Sequence, residues 1–168
     1  RRQRQMCIRD SIGTELCKLY SGVSWHHRIT VVDNRFISER VNQLRKWNMN
    51  FIQGDILDEK FVKKYFLDAD IVHHLAGVTD VPRTKSESNS IKNDQIKSVG
   101  VEGTKNILKA ISNKCKIIFP STHVVYEGLE QVKKNIKEDE ITKPVLSYST
   151  SKAINEQQLK ESGKNYVI

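Results

Sequence analysis

A tyrosine and a lysine stand four positions apart in the stretch YSTSK, which runs from Tyr148 to Lys152. Residues four apart lie on one face of a helix, one turn from each other. A lysine ammonium beside a phenol favours the phenolate and so lowers the tyrosine pKa from about 10. Such a tyrosine can exchange a proton with a substrate hydroxyl while hydride moves to a nicotinamide. The alternative is a half-exposed helix face with a packed tyrosine, and the spacing alone does not decide.

Two aspartates follow short apolar runs. Asp33 ends the run RITVVD and comes 20 residues after Gly13. A carboxylate there can accept both ribose hydroxyls of an adenosine and disfavours a 2′-phosphate, although Arg35 nearby softens that preference. A turn-forming Asp-Asn pair is an equally weighted alternative. Asp55 in QGDI could reach an adenine amino group, but without other context a helix cap is the favoured interpretation.

Two further strand-like runs end in residues suited to a ligand. In HHLAG, Ala76 and Gly77 would let a flat ligand approach the backbone. His73 and His74 are adjacent, so in a strand they point to opposite faces and cannot hold one metal together; no metal site is expected. In PSTHVVYEG, the hydroxyl of Ser121 or of Thr122 could bind a substrate oxygen or satisfy the local backbone.

Alternating strands and helices are predicted along the chain, and they would position these candidate residues. Apolar runs predict strands over 28–34, 49–56, 69–77, 115–122 and 165–168. Amphipathic patterns predict helices over 13–20, 37–47, 58–69, 96–113 and 148–163. Apolar strands separated by helices indicate an α/β fold, a Rossmann-like, doubly wound parallel sheet with helices on both faces. Ligands bind beyond the carboxyl ends of such strands.

Composition places the chain among ordinary one-domain globular proteins. The 168 residues carry a net charge of +8, but the lysines are dispersed, which favours a solvated surface over a nucleic-acid partner. The opening RRQRQMCIRD has no helical or strand periodicity, so residues 1–11 are interpreted as non-native or disordered and 12–168 as the domain. Three scattered cysteines suggest a reducing compartment, with cytoplasm as the default, and no apolar run suits a membrane span.

Six stretches occur in one order along the chain: VVDN, GDI, HLAG, GTKNIL, PSTHVVYEG and YSTSK. In this order and spacing the chain resembles the extended branch of the short-chain dehydrogenase/reductase family, from Ile12 to Ile168. That branch includes NAD-dependent nucleotide-sugar epimerases and dehydratases. Each stretch is weak alone, and the six in register make the resemblance specific.

The resemblance implies a role for each matching residue. Tyr148 would be the acid/base residue, Lys152 would hold the nicotinamide ribose and tune Tyr148, and Thr122 would polarise the substrate. Cofactor contacts would come from the last glycine of a glycine-rich turn, the ribose and adenine residues and the end of the third predicted strand: Gly13, Asp33, Asn34, Asp55, Ile56, Leu75, Ala76 and Gly77. NAD is expected rather than NADP.

The chain also departs from the family pattern. The first strand, the other glycines of the turn and the C-terminal substrate portion are not matched, so we expect a fold incomplete at both ends and little activity from these residues alone. Gly100 stands where the family often has an asparagine that supports the active site. His123 and Val124 replace the Asp-Glu pair of the 4,6-dehydratases, which argues against dehydratase chemistry.

The predicted function is an NAD-dependent epimerase or oxidoreductase acting on a nucleotide sugar or a related hydroxyl compound. No membrane or nucleic-acid partner is expected, and the full-length protein could form a homodimer. The alternative is a non-catalytic dinucleotide-sensing or protein-binding module on the same fold, because fold does not fix function.

Overall fold

A computed structural model describes residues 3–6, 11–78, 90–129 and 134–168. Within these residues six parallel strands form one sheet in the order β3-β2-β1-β4-β5-β6. The strands are β1 (Gln3–Met6), β2 (Arg28–Asp33), β3 (Asn50–Gln53), β4 (Ile71–His73), β5 (Lys116–Ile118) and β6 (Asn165–Val167). The order reverses direction between β1 and β4, as in doubly wound sheets, so the predicted fold class is confirmed.

The helices lie between the strands. They are α1 (Ser11–Ser21), α2 (Ser38–Lys46), α3 (Glu59–Phe66), α4 (Ser90–Lys97), α5 (Gly103–Ala110) and α6 (Ser147–Glu161). A π-helical turn, Ser98–Glu102, joins α4 to α5, and a 3-10 turn, His123–Tyr126, follows β5. Gly163 adopts a φ of 66° just past α6, a left-handed conformation that is common where a helix ends.

Two apolar clusters cover the two faces of the sheet. Val31 belongs to a cluster with Cys17 of α1 and Leu44 of α2. Its neighbour Val32 points the other way, into a larger cluster that includes Val62 of α3. Successive residues of a strand face opposite sides, so this division shows helices packed on both faces. In the described part of the chain, none of the helices has the length and apolarity to cross a bilayer.

The start of the chain differs from the prediction. The backbone of Gln3–Met6 pairs in parallel with β2 on one side and with β4 on the other, at the middle of the sheet. We expected no strand here, because the segment lacks the apolar pattern of a central strand. Backbone N–H and C=O groups pair whatever the side chains are, and hydropathy cannot report that pairing. The rest of the segment, residues 1–2 and 7–10, lies outside the described residues.

Candidate active site

One edge of the sheet collects most of the predicted site residues. The strands are parallel, so their carboxyl ends meet at this edge. Asp33 ends β2, Asp55 follows β3, Gly77 follows β4 and Thr122 follows β5. Gly13 lies buried in the first turn of α1, the helix that follows β1. The fold therefore places the predicted cofactor and substrate residues on a common edge, and their individual roles stay predictions.

The Asp33 carboxylate is held where β2 gives way to a turn. Asp33 is only 6% exposed, and its Oδ1 accepts a hydrogen bond of 3.0 Å from the backbone N–H of Arg35. The backbone oxygen of Asn34 accepts a 3.1 Å bond from the Gln53 amide. The predicted turn contact is thus present. A carboxylate has about four acceptor positions, so the turn is compatible with ribose binding.

Asp55 and Asp58, in the segment after β3, bond to different backbone groups. The Oδ1 of Asp55 accepts from the backbone N–H of Leu57 at 2.9 Å. Asp58, rather than Asp55, caps α3 by accepting from two N–H groups of its first turn. Ile56 is buried, and a Cβ added at Gly103 would lie 2.3 Å from its Cδ1. The Ile56 side chain therefore packs in the core, its backbone carbonyl accepts a 3.0 Å hydrogen bond from the Asn106 amide, and its predicted adenine contact stays a prediction.

The chain after β4 presents a small-residue surface. The N–H of Leu75 donates to the His73 carbonyl at 3.1 Å, which makes a tight turn. Ala76 packs against the larger core cluster. Gly77 is exposed, and among the described residues no atom lies within 4 Å of the position a Cβ would take. A flat ligand can therefore approach the backbone here, as the sequence predicts.

His73 ends β4 and His74 follows it, and their rings point to opposite faces of the sheet, as predicted. His73 Nε2 lies 3.0 Å from the Tyr20 hydroxyl, and His74 Nε2 lies 2.8 Å from the Thr104 hydroxyl. Thr104 donates its hydrogen to the Gly100 carbonyl at 2.6 Å, so it accepts from an Nε2–H of His74. The other ring nitrogen, Nδ1, is buried and has no hydrogen-bond partner among the residues that the structure describes. Burial, together with the charge of Lys152, lowers the pKa of His74 to about 3, so this ring is neutral.

Helix α6 carries Tyr148 and Lys152 on one face, one turn apart. Lys152 Nζ donates to the carbonyl of Pro120 at 2.8 Å. The same ammonium lies 4.3 Å from the centroid of the Phe119 ring and 5.9 Å from that of the Tyr148 ring. The lysine is therefore fixed between the end of β5 and the tyrosine, which is the arrangement the helical spacing predicts.

The prediction for the tyrosine pKa is wrong for this structure. We expected Lys152 to lower it, but burial of the half-buried ring raises the pKa of Tyr148 above its ordinary value. The lysine directs a hydrogen bond to the Pro120 carbonyl, whereas the phenol loses part of its water shell. Desolvation disfavours the charged phenolate, and it outweighs the distant ammonium.

The end of β5 is tied to α6 at a second point. The Ser121 hydroxyl donates to the carboxylate of Glu156, one turn beyond Lys152. Next in sequence, the Thr122 hydroxyl accepts from the backbone N–H of Val124 at 3.3 Å and so caps the 3-10 turn. This is the backbone contact named as the alternative. A hydroxyl that accepts one bond can still donate its own hydrogen, so Thr122 remains able to bind a substrate oxygen.

Ser151 and Asn155 are two buried polar residues of α6 that the sequence did not single out. A Cβ added at Gly100 would lie 2.2 Å from the Ser151 hydroxyl, so Ser151 occupies the space beside this glycine. With its nitrogen facing these groups, the buried amide of Asn155 donates to the carbonyls of Gly100 and Ser151 at 3.2 Å each. The sequence signal for these residues was the repetition of polar residues at helical spacing within YSTSKAIN. That repetition indicates a helix whose buried face is unusually polar.

A family model described as the NAD dependent epimerase/dehydratase family matches residues 9–168. The chain belongs to this family. The predicted resemblance is therefore confirmed, as is the prediction of an enzyme family that uses NAD.

Several known proteins are similar to parts of the chain. A 3beta-hydroxysteroid-dehydrogenase/decarboxylase isoform 2 of Arabidopsis thaliana is 28% identical over an alignment of 137 positions, which covers 74% of this chain and 22% of the relative. A CDP-paratose 2-epimerase of Salmonella typhi is 36% identical over an alignment of 102 positions, which covers 56% of this chain and 28% of the relative. The crystal structure of UDP-glucuronic acid 4-epimerase from Bacillus cereus, with UDP-glucuronic acid and NAD, has a TM-score of 0.79 at 22% identity. The match to this epimerase covers 99% of the present chain and 55% of the epimerase chain.

The chain spans under a third of the length of these two curated relatives and about half of the solved epimerase. The likeness to the epimerase structure extends over nearly the whole chain and shows the fold.

Proposed function

We propose that this chain is the NAD-binding, proton-transferring part of an epimerase or oxidoreductase that acts on a hydroxyl group. The observation that carries the proposal is the Tyr148–Lys152 pair on α6, whose lysine is bonded to Pro120 at the carboxyl end of β5. That position is the edge at which a doubly wound sheet binds its ligand. The family to which the chain belongs is described as NAD dependent.

The residues along the sheet edge fit a dinucleotide. The carboxylate of Asp33 suits the two hydroxyls of an adenosine ribose. Gly77 is exposed at the end of β4, and in the described part of the chain no atom fills the space beside it, where the central portion of the cofactor would run. Lys152 carries N–H donors at the carboxyl end of β5, where it bonds to Pro120, and this position suits a contact with the nicotinamide ribose. When bound, NAD would supply the hydride acceptor.

Tyr148 is proposed as the acid/base residue. Because burial raises its pKa, the phenol is protonated at neutral pH and is in the form that donates a proton to a substrate oxygen. For the reverse direction, the positive charges of Lys152 and of an oxidised nicotinamide act together to favour the phenolate. The Thr122 hydroxyl is proposed to donate a hydrogen bond to the same substrate oxygen.

The substrate class is proposed from the relatives. The Salmonella relative is named as a CDP-paratose epimerase, and the matched Bacillus structure holds UDP-glucuronic acid. We therefore propose a nucleotide sugar as the first substrate to test. The Arabidopsis relative is named as a hydroxysteroid dehydrogenase, which makes a sterol-like hydroxyl compound the second.

Tyr148→Phe tests this function, because it removes only the phenol oxygen. Turnover of a panel of nucleotide sugars is measured with NAD, both for the 168-residue chain and for the complete gene product that contains it. We expect kcat of the active form to fall by about 10²- to 10⁴-fold, as for other lost acid/base groups. The dissociation constant for NAD should stay unchanged. Tyr65→Phe, on α3, is the matched control.

Full activity of the Tyr148→Phe protein would refute the catalytic assignment of Tyr148, whereas NAD binding without turnover by the complete gene product would favour a dinucleotide-sensing module. Absence of NAD binding to the complete gene product would refute both. The expectation that the 168-residue chain shows little turnover stays a prediction, and the same assay decides it.

A further inference from the structure

Glu127 makes a set of hydrogen bonds that the sequence did not suggest. Its Oε1 accepts from the backbone N–H groups of Val145 at 2.8 Å and Leu146 at 2.6 Å. The same oxygen accepts from the hydroxyl of Ser149. Leu146 is the residue before α6 and has no capping side chain of its own. Glu127 therefore caps α6 from a position 19 residues earlier in the chain.

The backbone around Glu127 is docked on the same segment. Gly128 donates its N–H to the Lys143 carbonyl at 2.8 Å, and Lys143 donates to the Val125 carbonyl at 3.0 Å. A Cβ added at Gly128 would lie 2.4 Å from the Lys143 oxygen and 2.8 Å from a methyl group of Val145. A backbone oxygen cannot move aside as a flexible side chain would. Residue 128 must therefore be glycine for this approach.

We propose that Glu127 is a positioning residue: from the 3-10 turn that begins at Thr122 it caps α6 and thereby fixes Tyr148 for proton transfer. The consequence for catalysis rests on the proposed function. Tyr148 lies between two of the groups that Glu127 holds, Leu146 and Ser149. A negative carboxylate also matches the positive end of the helix dipole.

This arrangement couples the position of Thr122 to that of Tyr148, the two side chains proposed to contact the substrate oxygen. Thr122 caps the 3-10 turn at its start, and Glu127 follows at its end. One rigid turn therefore connects the hydroxyl proposed to hold the substrate oxygen with the helix that carries the phenol. Proton transfer depends on the distance between these groups, and a displacement of about 1 Å can cost roughly a hundredfold in rate.

The test compares Glu127→Ala and Glu127→Gln in protein labelled with ¹³C at the tyrosine ring, with Tyr148→Phe used to assign the signal. Alanine should speed amide exchange at Val145 and Leu146 by about tenfold, since one charge-assisted bond is lost at each. It should also return the pKa of Tyr148 towards the ordinary tyrosine value, because the frayed turn exposes the ring. Glutamine keeps the acceptor oxygen without the charge and should restore both readouts.

Glu138→Ala is the matched control, because it removes an exposed carboxylate from the loop before α6. It should change neither readout. If Glu127→Ala does not fold, Gly128→Ala displaces the same segment by its clash with Lys143 and should reproduce the faster exchange. Unchanged exchange and an unchanged Tyr148 titration in Glu127→Ala would overturn the proposal, and so would a glutamine variant as damaged as the alanine one.

Turnover adds an independent check in the complete gene product. We expect Glu127→Ala to lower kcat by about 10- to 100-fold with little change in NAD affinity. These outcomes separate the two proposals. An active Tyr148→Phe protein would refute the proposed function and leave the capping result standing, whereas unchanged kcat in Glu127→Ala would refute only the positioning role.

Discussion

The buried His74 should make the stability of the chain fall in mild acid. The His74 ring is 2% exposed and neutral in the folded protein, and its pKa is lowered from 6.5 to about 3, first by burial and then by the charge of Lys152. Between these two pH values the unfolded chain binds a proton at this residue and the folded chain does not. Stability therefore falls as pH decreases below about 6.5 and is fully present above it.

The size of this effect follows from the two pKa values. A pH of about 5 lies about 1.5 units below the pKa of 6.5 that His74 has in the unfolded chain. At roughly 1.36 kcal/mol per unit, protonation of the unfolded chain lowers the free energy of unfolding by about 2 kcal/mol. A domain of this kind is stable by only about 5–15 kcal/mol, so the loss is large enough to measure. Other titrating groups add their own contributions, and a variant without the ring is needed to isolate this one.

His74→Gln provides that comparison, because its side-chain N–H₂ can still donate to Thr104. Urea unfolding followed by tryptophan fluorescence gives the free energy of unfolding at about pH 7.5 and about pH 5. The parent should lose about 2 kcal/mol more than His74→Gln over this interval. His26→Gln, which removes an exposed histidine, should lose as much as the parent. Parallel losses in the parent and His74→Gln would refute the assignment of a buried neutral ring.

Two further predictions concern stability and reactivity. Asp58→Ala removes the cap that accepts two N–H groups at the start of α3 and should lower the free energy of unfolding by about 1 kcal/mol in urea, whereas Asp68→Ala, just past that helix, should change it little. Burial raises the pKa of the Cys17 and Cys115 thiols to about 11, so both should react with a thiol reagent at about pH 8 far more slowly in folded than in unfolded protein. Rapid labelling of either in folded Cys7→Ser protein would contradict that burial.

The ends of the strands were predictable because their signals are local. An apolar β-branched run followed by Asp or Gly marks both a buried strand and the turn after it, and so Asp33, Asp55 and Gly77 were found on the correct edge. Parallel pairing then requires these ends to meet, without any knowledge of long-range contacts. The opposite orientations of His73 and His74 followed from strand geometry alone.

The features that were missed depend on contacts between distant segments. Gln3–Met6 carries no apolar signal, and its place in the sheet comes from backbone pairing with β2 and β4. The cap that Glu127 provides for α6 spans 19 residues to Leu146, so no local motif announces it. The raised pKa of Tyr148 reflects how much water the fold removes from the ring, which spacing along a helix cannot report.

Gly100, which stands where the family often has an asparagine, lies in the π-helical turn. A π turn interrupts the regular helical hydrogen-bond ladder, and here the Gly100 carbonyl accepts from the hydroxyl of Thr104 and the amide of Asn155. Thr104 in turn holds His74. An asparagine at position 100 would place its Cβ 2.2 Å from the Ser151 hydroxyl, so this hydroxyl would have to rotate away. The side chains of Thr104 on α5 and Asn155 on α6 therefore supply the hydrogen bonds to this turn.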